Sequence, residues 1–169
     1  MILKIVKYPE PILQLPGEPV TEFDGELRKF VADLFETMYA SQGIGLAAQQ
    51  VGVAKRITVV DLSQGKDPAQ KLVLINPEVI SREGKQYEEE GCLSFPDIRE
   101  KVSRAAKVSI RAQDEKGKWF EMDGEDVLSR CFQHEIDHLD GMLFIYRMSA
   151  LKRDLTLRKI RKLQREGKW

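Results

Sequence analysis

The sequence contains few of the residues on which extracellular proteins and most metal sites depend. Only two cysteines, Cys92 and Cys131, occur among 169 residues. One disulfide would add little to a chain of this size, so the low count favours a cytoplasmic protein whose cysteines are buried, catalytic or metal-bound. Histidine is equally scarce, because His134 and His138 are the only two in the chain.

The chain also lacks net charge and long hydrophobic runs. Its 27 basic and 27 acidic residues cancel, which excludes a general attraction for nucleic acid. No apolar run approaches the ~18–20 residues of a membrane span, and Lys4 and Lys7 interrupt the first segment, which is untypical of a signal peptide. Charge is nevertheless uneven: residues 147–169 hold nine basic and two acidic residues, a net of +7, which leaves −7 on residues 1–146. This basic tail indicates a polyanionic partner.

Hydrophobic periodicity predicts helices on either side of a strand-rich region. Apolar residues recur at i, i+3, i+4 and i+7 over residues 25–40, with Asp24 as the N-cap. A second helix is predicted over residues 125–139. We expect Asp123 to cap its start and Gly141 to follow its end in the left-handed conformation. Its sequence leaves little polar surface, so this helix should be largely buried.

Between and after these helices, alternating or continuous apolar patterns predict strands. They cover residues 57–62, 72–80 (disturbed at Pro77), 105–114 and, after a turn at Gly117, 119–122. A third helix is predicted from about residue 149 to 166, within the basic tail. The order of helix, strands, helix and helix has no βαβ rhythm, which indicates an α+β fold. The length suits one domain over residues 1–169.

Both histidines lie in one short motif, His134-Glu135-Ile136-Asp137-His138. On a helix, positions i and i+4 share a face, so the two imidazoles can bind one metal ion. Glu135 lies close enough on the helix to act as a general base without being a ligand. This is the H-E-x-x-H pattern of hydrolytic metal enzymes, although the same pentapeptide also occurs on solvated helices. The apolar neighbours favour the buried, metal-binding interpretation, because buried polar groups need partners.

The third ligand is not evident from this motif. Metzincin proteases carry a histidine where this chain has Phe144, and the downstream acids are poorly placed for a thermolysin-like site. Cys92 and Cys131 remain, and Cys131 is also a plausible core residue. Cys92 is the better candidate because a loop separate from the helix gives a better tetrahedral spread. Two histidines and one cysteine leave a fourth position open for water, as a catalytic site requires.

A glycine-rich segment over residues 43–50 contains G-x-G-x-x-A, which superficially resembles a dinucleotide fingerprint. It follows an amphipathic helix rather than a strand, so we predict no dinucleotide. The alternative is a segment whose glycines allow another backbone to approach closely. Gln50 would then offer its amide N–H to a reacting oxygen, unless it makes only an ordinary loop hydrogen bond.

Three segments together resemble the peptide deformylases. Residues 43–50 resemble the G-x-G-x-A-A-x-Q motif of that family, residues 90–94 its E-G-C-L-S motif, and residues 133–138 its Q-H-E-x-D-H motif. The likeness covers nearly the whole chain, and the basic C-terminal helix is similar to that of bacterial members with a helical tail. The resemblance implies small antiparallel or mixed sheets packed around a central, buried metal-binding helix.

The resemblance also implies the site. Cys92, His134 and His138 would bind the metal, usually Fe²⁺ with Zn²⁺, Ni²⁺ or Co²⁺ as substitutes, and Glu135 would be the catalytic acid and base. Gln50 and the N–H of Leu93 would form an oxyanion hole. Ile44 and Gly45 would pair with the backbone of the substrate. Val127 and Cys131 would line the pocket for the methionine side chain.

The resemblance predicts a hydrolase that removes the formyl group from the N-terminal methionine of new polypeptides. The tail over residues 147–169 could dock on the ribosome, as in similar bacterial enzymes, or could simply be a solvated helix packed on the body. Two other functions fit parts of the pattern. A zinc endoprotease shares the H-E-x-x-H chemistry, and a non-catalytic metal- or peptide-binding module would leave Glu135 without a role.

Overall fold

A computed structural model describes all residues from Met1 to Trp169. It contains three α-helices and seven β-strands, with short 3-10 turns between them. The helices are α1 (Gly25–Ala40), α2 (Asp126–Leu139) and α3 (Ala150–Arg165). The strands are β1 (Gly45–Ala47), β2 (Ile57–Val60), β3 (Leu72–Glu83), β4 (Gln86–Cys92), β5 (Phe95–Arg104), β6 (Lys107–Gln113) and β7 (Trp119–Glu125).

The strands form two antiparallel sheets. The larger has the order β1-β2-β3-β6-β7, and β4 and β5 form a separate two-stranded sheet. In the larger sheet β1 and β7 are the edge strands. The helices α1 and α2 contact β1 and β2, and α2 also contacts β6 and β7. The predicted α+β fold is confirmed.

Helix α1 begins where the sequence predicts. The Asp24 carboxylate accepts a hydrogen bond of 3.0 Å from the backbone N–H of Leu27, which satisfies one of the free donors of the first turn. The apolar face of α1 packs against β1 and β2 in a buried cluster that includes Leu34, Met38 and Leu46. Burial of this face, at about 1.5–3 kcal/mol for each fully buried large side chain, fixes the strand β1 beside it.

All four predicted strands need only changes at their ends, and the turn at Gly117 is confirmed. Gly117 has φ +83°, and its N–H donates to the carbonyl of Asp114 at 3.0 Å. Strand β3 runs on to Glu83, and its pairing with β6 shifts register between Ile75 and Glu78. Pro77 lies inside this irregularity, as expected for a residue that cannot donate to the ladder.

The β4–β5 hairpin was not predicted. Its sequence is dominated by charged residues, and its burial pattern shows no regular alternation along β4. The strands pair from Gln86 opposite Arg104 to Cys92 opposite Phe95, with a register shift just before Cys92. The expectation that Cys92 lies in a loop is therefore wrong. It ends a strand at the hairpin turn, and pairing with β5 holds it in place.

The predicted N-cap of α2 is also wrong. Strand β7 continues through Asp123 to Glu125, and the Asp123 carboxylate accepts a hydrogen bond from Ser109 on β6 rather than from the helix. Glu125 occupies the N-cap position without a side-chain hydrogen bond. Ladder pairing with β6 holds these residues extended, and this outweighs the local capping preference of Asp123. Gly141 has φ +77°, as predicted.

Helix α3 is attached to the rest of the molecule by a few contacts. Ser149 caps its first turn, and Ile160 is its one fully buried large apolar residue. Beyond the helix, the Trp169 indole N–H donates to the carbonyl of Tyr8 at 2.6 Å, and its ring packs edge-on against Phe95. Leu151 and Leu155 remain exposed. None of the three helices is both long and apolar enough to cross a membrane.

Candidate metal centre

Helix α2 brings both histidines to one buried face. All residues from Ser129 to Leu139 are buried, as the sequence predicts. The imidazole Nε2 atoms of His134 and His138 are 3.2 Å apart. Burial lowers the pKa of His138 well below its ordinary value, with His134 adding to the effect. A neutral imidazole is the form that binds a metal ion.

The end of β4 supplies a third donor atom. The Sγ atom of Cys92 is 3.4 Å from Nε2 of His138, and the donor atoms of Cys92, His134 and His138 all lie within 4.8 Å of one another. Sulfur and nitrogen ligands of one tetrahedral ion are roughly 3.3–3.6 Å apart, given bonds of about 2.0–2.3 Å. The donor set therefore fits a divalent transition-metal ion with one coordination position left for water.

Cys131, the rival third ligand, does not join this group. Its thiol lies 3.8 Å from the carbonyl oxygen of Ile44, and burial raises its pKa well above the ordinary value. A thiol in this state is a poor ligand, since metals bind the thiolate. Cys131 packs with β2, β3 and β6 in a buried apolar cluster. Both cysteines are free.

Glu135 lies beside the donor group and is almost completely buried. Burial raises its pKa to about 7, and its Oε1 atom has no hydrogen-bond partner in the protein. A Cβ atom at Gly45 would lie 2.5 Å from the Glu135 carboxylate. Glycine is thus required at position 45 because a side chain, rather than the expected backbone, approaches it. A carboxyl group with a pKa near neutrality can both accept and donate a proton.

Gln50 faces the donor group from the 3-10 turn after β1. Its Oε1 atom accepts from the N–H of Ala47 at 3.0 Å, which fixes the amide orientation. The Nε2 group then points to Cys92 Sγ at 3.5 Å and to Ser94 Oγ at 3.2 Å. The N–H of Leu93, in the turn between β4 and β5, has no acceptor within the chain. Two donors therefore flank Cys92.

Strand β1 leaves one edge open beside the donor group. It pairs only with β2, and the Ile44 carbonyl accepts from the Asp61 N–H at 2.9 Å. Because neighbouring residues of a strand point their polar groups to opposite sides, the N–H and C=O of Gly45 face away from β2. The open edge can therefore accept an extended peptide.

A cavity of about 960 Å³ opens between β1, the β4–β5 turn and α2. Every residue predicted for the site lines it except His138, which is 1% exposed. Val127 and Cys131, predicted for the methionine pocket, are also on its wall.

Comparison with known proteins identifies the family. Residues 2–154 match the sequence model of the polypeptide deformylase family. The chain belongs to this family.

Several peptide deformylases are similar over their full length. The chain is 69% identical to a peptide deformylase of Acidobacterium capsulatum, covering 100% of this chain and 99% of that protein. It is 48% identical to one of Alkalilimnicola ehrlichii, with 99% and 93% covered. The crystal structure of a peptide deformylase from Legionella pneumophila has a TM-score of 0.92 at 43% identity, with 99% and 98% of the two chains covered.

The structure adds deformylase residues that were not given roles from the sequence. Glu90, quoted only as part of a motif, accepts from His134 Nδ1 at 3.0 Å. Burial favours the neutral form of Glu90, but His134 and Arg104 outweigh it and hold its pKa well below the usual range. The carboxylate is therefore ionised and accepts the Nδ1 proton, which leaves Nε2 of His134 free to bind metal.

Arg104 and Arg130 also lie next to Glu90. Both are buried, and both donate to Glu90. They lie outside the three motifs, and their contacts span 14 and 40 residues in the sequence. The sequence carries a signal only for Asp137, the acidic letter of the Q-H-E-x-D-H motif, which accepts from Arg104 and Arg147.

Proposed function

We propose that this deformylase removes the formyl group from the N-terminal formyl-methionine of newly made polypeptides, releasing formate and a free amine. The observation that carries the proposal is the convergence of Cys92, His134 and His138 within 4.8 Å beside the unpartnered Oε1 atom of Glu135. Deformylation is the activity after which the family is named. The open edge of β1 beside this group supports an extended peptide as substrate.

Cys92, His134 and His138 hold the metal, which we propose to be Fe²⁺, with Zn²⁺, Ni²⁺ or Co²⁺ able to take its place. When bound, the metal ion acts as a Lewis acid and makes water nucleophilic near neutral pH. The thiolate and two imidazoles suit all four metals, so the preference for iron rests on the resemblance to the family.

Glu135 moves the proton. It accepts a proton from the attacking water, which adds to the formyl carbon, and then donates it to the departing amine as the C–N bond breaks. Its unpartnered Oε1 atom supports this role, since no hydrogen bond within the protein must first be broken. A positioned acid–base group contributes roughly 10²–10⁴-fold to such reactions.

Gln50 and the N–H of Leu93 form the oxyanion hole. During attack, negative charge develops on the formyl oxygen, and fixed N–H donors stabilise that charge without reorganising. Gln50 is 1% exposed and held by Ala47, so its amide is already oriented. The Leu93 N–H lies in the adjacent turn and is free to donate.

Replacement of Gln50 by alanine is expected to lower kcat/KM by about 10²–10³-fold, the usual cost of one oxyanion donor. The measurement is formate release from a formyl-Met tripeptide with metal-loaded protein. Gln49→Ala is the matched control, since Gln49 is equally buried but points to the carbonyl of Leu15. A decrease of less than about threefold for Gln50→Ala would remove Gln50 from this role.

The peptide substrate adds to the sheet at the open edge of β1, through Gly45 and the adjoining Ile44. Its methionine side chain enters the cavity beside α2, where Val127 and Cys131 contribute to the wall. We propose that residues 1–169 act as one catalytic domain in the cytoplasm, where formylated chains are made. The zinc endoprotease alternative is not favoured, since the chain matches the polypeptide deformylase family over residues 2–154.

The basic tail over residues 147–169 is proposed to dock on the ribosome. Five of the six exposed charged residues of α3 are basic, and the one ion pair from this helix to the body is made by the half-buried Lys152. Polyanions such as ribosomal RNA attract a surface of this kind by releasing counterions, so binding weakens as salt rises.

Loss of charge on α3 should weaken ribosome binding several-fold at low salt and flatten its salt dependence. Four exposed residues are changed together to glutamine, which keeps the buried Ile160 and Trp169 contacts intact: Arg158, Lys159, Lys162 and Arg165. A control protein carries glutamine at four exposed lysines elsewhere: Lys66, Lys85, Lys116 and Lys118. Equal sedimentation of both variants with ribosomes would contradict the proposal.

A further inference from the structure

One row of side chains on helix α2 makes hydrogen bonds to the end of strand β5. Ser129 and Gln133, one turn apart, both donate from their side chains to the carbonyl of Ala105, and the side-chain Oε1 atom of Gln133 accepts from the Ala105 N–H at 3.1 Å. One turn further, Asp137 accepts from Arg104 Nη1 at 2.6 Å. Residues i, i+4 and i+8 share a helix face, so this row docks α2 on residues 104–105.

Arg104 is also linked, through Glu90, to His134 on the metal-binding face of the same helix. Its Nε and Nη2 groups donate to the two oxygens of Glu90 at 3.0 and 2.8 Å. The Oε2 atom of Glu90 also accepts from His134 Nδ1 at 3.0 Å. Side chains therefore close a ring that leaves α2 at Asp137, passes through Arg104 and Glu90, and re-enters α2 at His134.

We propose that Arg104 is the positioning residue of the metal centre: it fixes Glu90, and through Glu90 it fixes the tautomer and direction of His134. The inference rests on the proposed metal-binding role of His134. The hydrogen bonds of Arg104 go to Glu90 and Asp137 and not to Cys92, His134 or His138, and its side chain is 3% exposed.

The shape of the guanidinium group makes this role specific. Arg104 uses two parallel N–H groups on Glu90 and a third on Asp137, which a planar fork allows and a single ammonium group does not. Arg130 also donates to Glu90, but only to Oε1, which is not the oxygen that holds His134. Without this fork, the Glu90 carboxylate can rotate away from His134.

Arg104→Lys tests the proposal, because it keeps the charge and removes the fork. The measured quantity is the rate at which the Zn²⁺-loaded protein loses its metal to an excess of chelator, at a fixed interval below each variant's own Tm. Loss of a group supporting a ligand typically weakens metal binding by ~10–100-fold, so release should be at least about 10-fold faster than in the parent. Asp137→Asn, which retains shape and one acceptor oxygen, should give a smaller increase.

Arg56→Lys is the matched control. Arg56 also grips α2, through the Leu139 carbonyl at 3.1 Å and Asp140 at 2.9 Å, but it does not contact Glu90. The Arg56→Lys variant should have a lower Tm than the parent, but its rate of metal release should change by no more than twofold. Release from Arg104→Lys within twofold of the parent, or equal acceleration by Arg56→Lys, would overturn the proposal. A parent protein that binds no Zn²⁺ would instead overturn the metal site itself, and this inference with it.

Discussion

Glu135→Gln is expected to retain its metal and to lose about 10³-fold or more in kcat, near the upper part of the range for positioned acid–base groups. Glutamine has the same shape as glutamate but cannot take up the proton of the attacking water. Glu135 is not within the group of donor atoms formed by Cys92, His134 and His138, so metal binding should be unaffected. Formate release at saturating substrate gives kcat, and elemental analysis gives the metal content.

The thermal stability of the same variant provides an internal check. Burial, with a contribution from the charge of Glu90, raises the pKa of Glu135 to about 7, so the ionised carboxylate is held at a cost in the folded protein. A neutral amide removes that cost, and Tm at pH 8 should be no lower than in the parent. Full activity in Glu135→Gln would remove Glu135 from the acid–base role.

Cys92→Ala is expected to abolish tight metal binding, with an affinity lower by at least about 100-fold, because a lost ligand costs more than a lost supporting residue. His134 and His138 would remain as a two-nitrogen site. The measurement is competition for Zn²⁺ with a chromophoric chelator. Formate release should fall in parallel, since the remaining residues have no other means of activating water.

Cys131→Ala is the matched control, since it removes the only other thiol. Cys131 is buried among apolar residues of α2 and the large sheet, so this change should cost stability through a small cavity, of the order of 1 kcal/mol. Its zinc affinity should equal that of the parent. Loss of zinc by Cys131→Ala with retention by Cys92→Ala would reverse the assignment of the third ligand.

The helices could be predicted because their signals are local. For α1, Asp24 and the apolar residues that follow lie within two turns of the features they determine. Burial of α2 follows similarly from its composition. The N-cap was misassigned at Asp123 because strand pairing with β6, which involves residues 14 positions away, held that residue extended.

The β4–β5 hairpin could not be predicted from alternation. Residues Glu88 and Glu89 are exposed, whereas Glu90 next to them is buried against two arginines. A buried glutamate has no distinguishing pattern in the sequence, because its burial depends on partners far along the chain. The expected loop position of Cys92 is wrong for this reason, and the structure places it at a strand end close to His134 and His138.

The residues of the candidate site also fall into two groups, those that a local sequence pattern predicts and those that depend on distant partners. Residues that lie in short motifs, such as His134, Glu135 and Gln50, were found because the chemistry restricts their type and spacing. Arg104 was not found, since its contacts with Glu90 and Asp137 span 14 and 33 residues and involve no motif position of its own. Such supporting residues become visible only when the fold brings their partners together.

The central claim is tested most directly by formate release from a formyl-Met tripeptide. The protein is prepared without oxygen and reloaded with Fe²⁺ or, in a parallel sample, Ni²⁺, and Glu135→Gln is assayed beside it at equal metal content. The account predicts metal-dependent formate release by the parent, absent from the variant, and no action on the acetyl-Met peptide. No formate from a fully metallated parent would contradict it and would mean that Cys92, His134 and His138 hold a metal for another reaction.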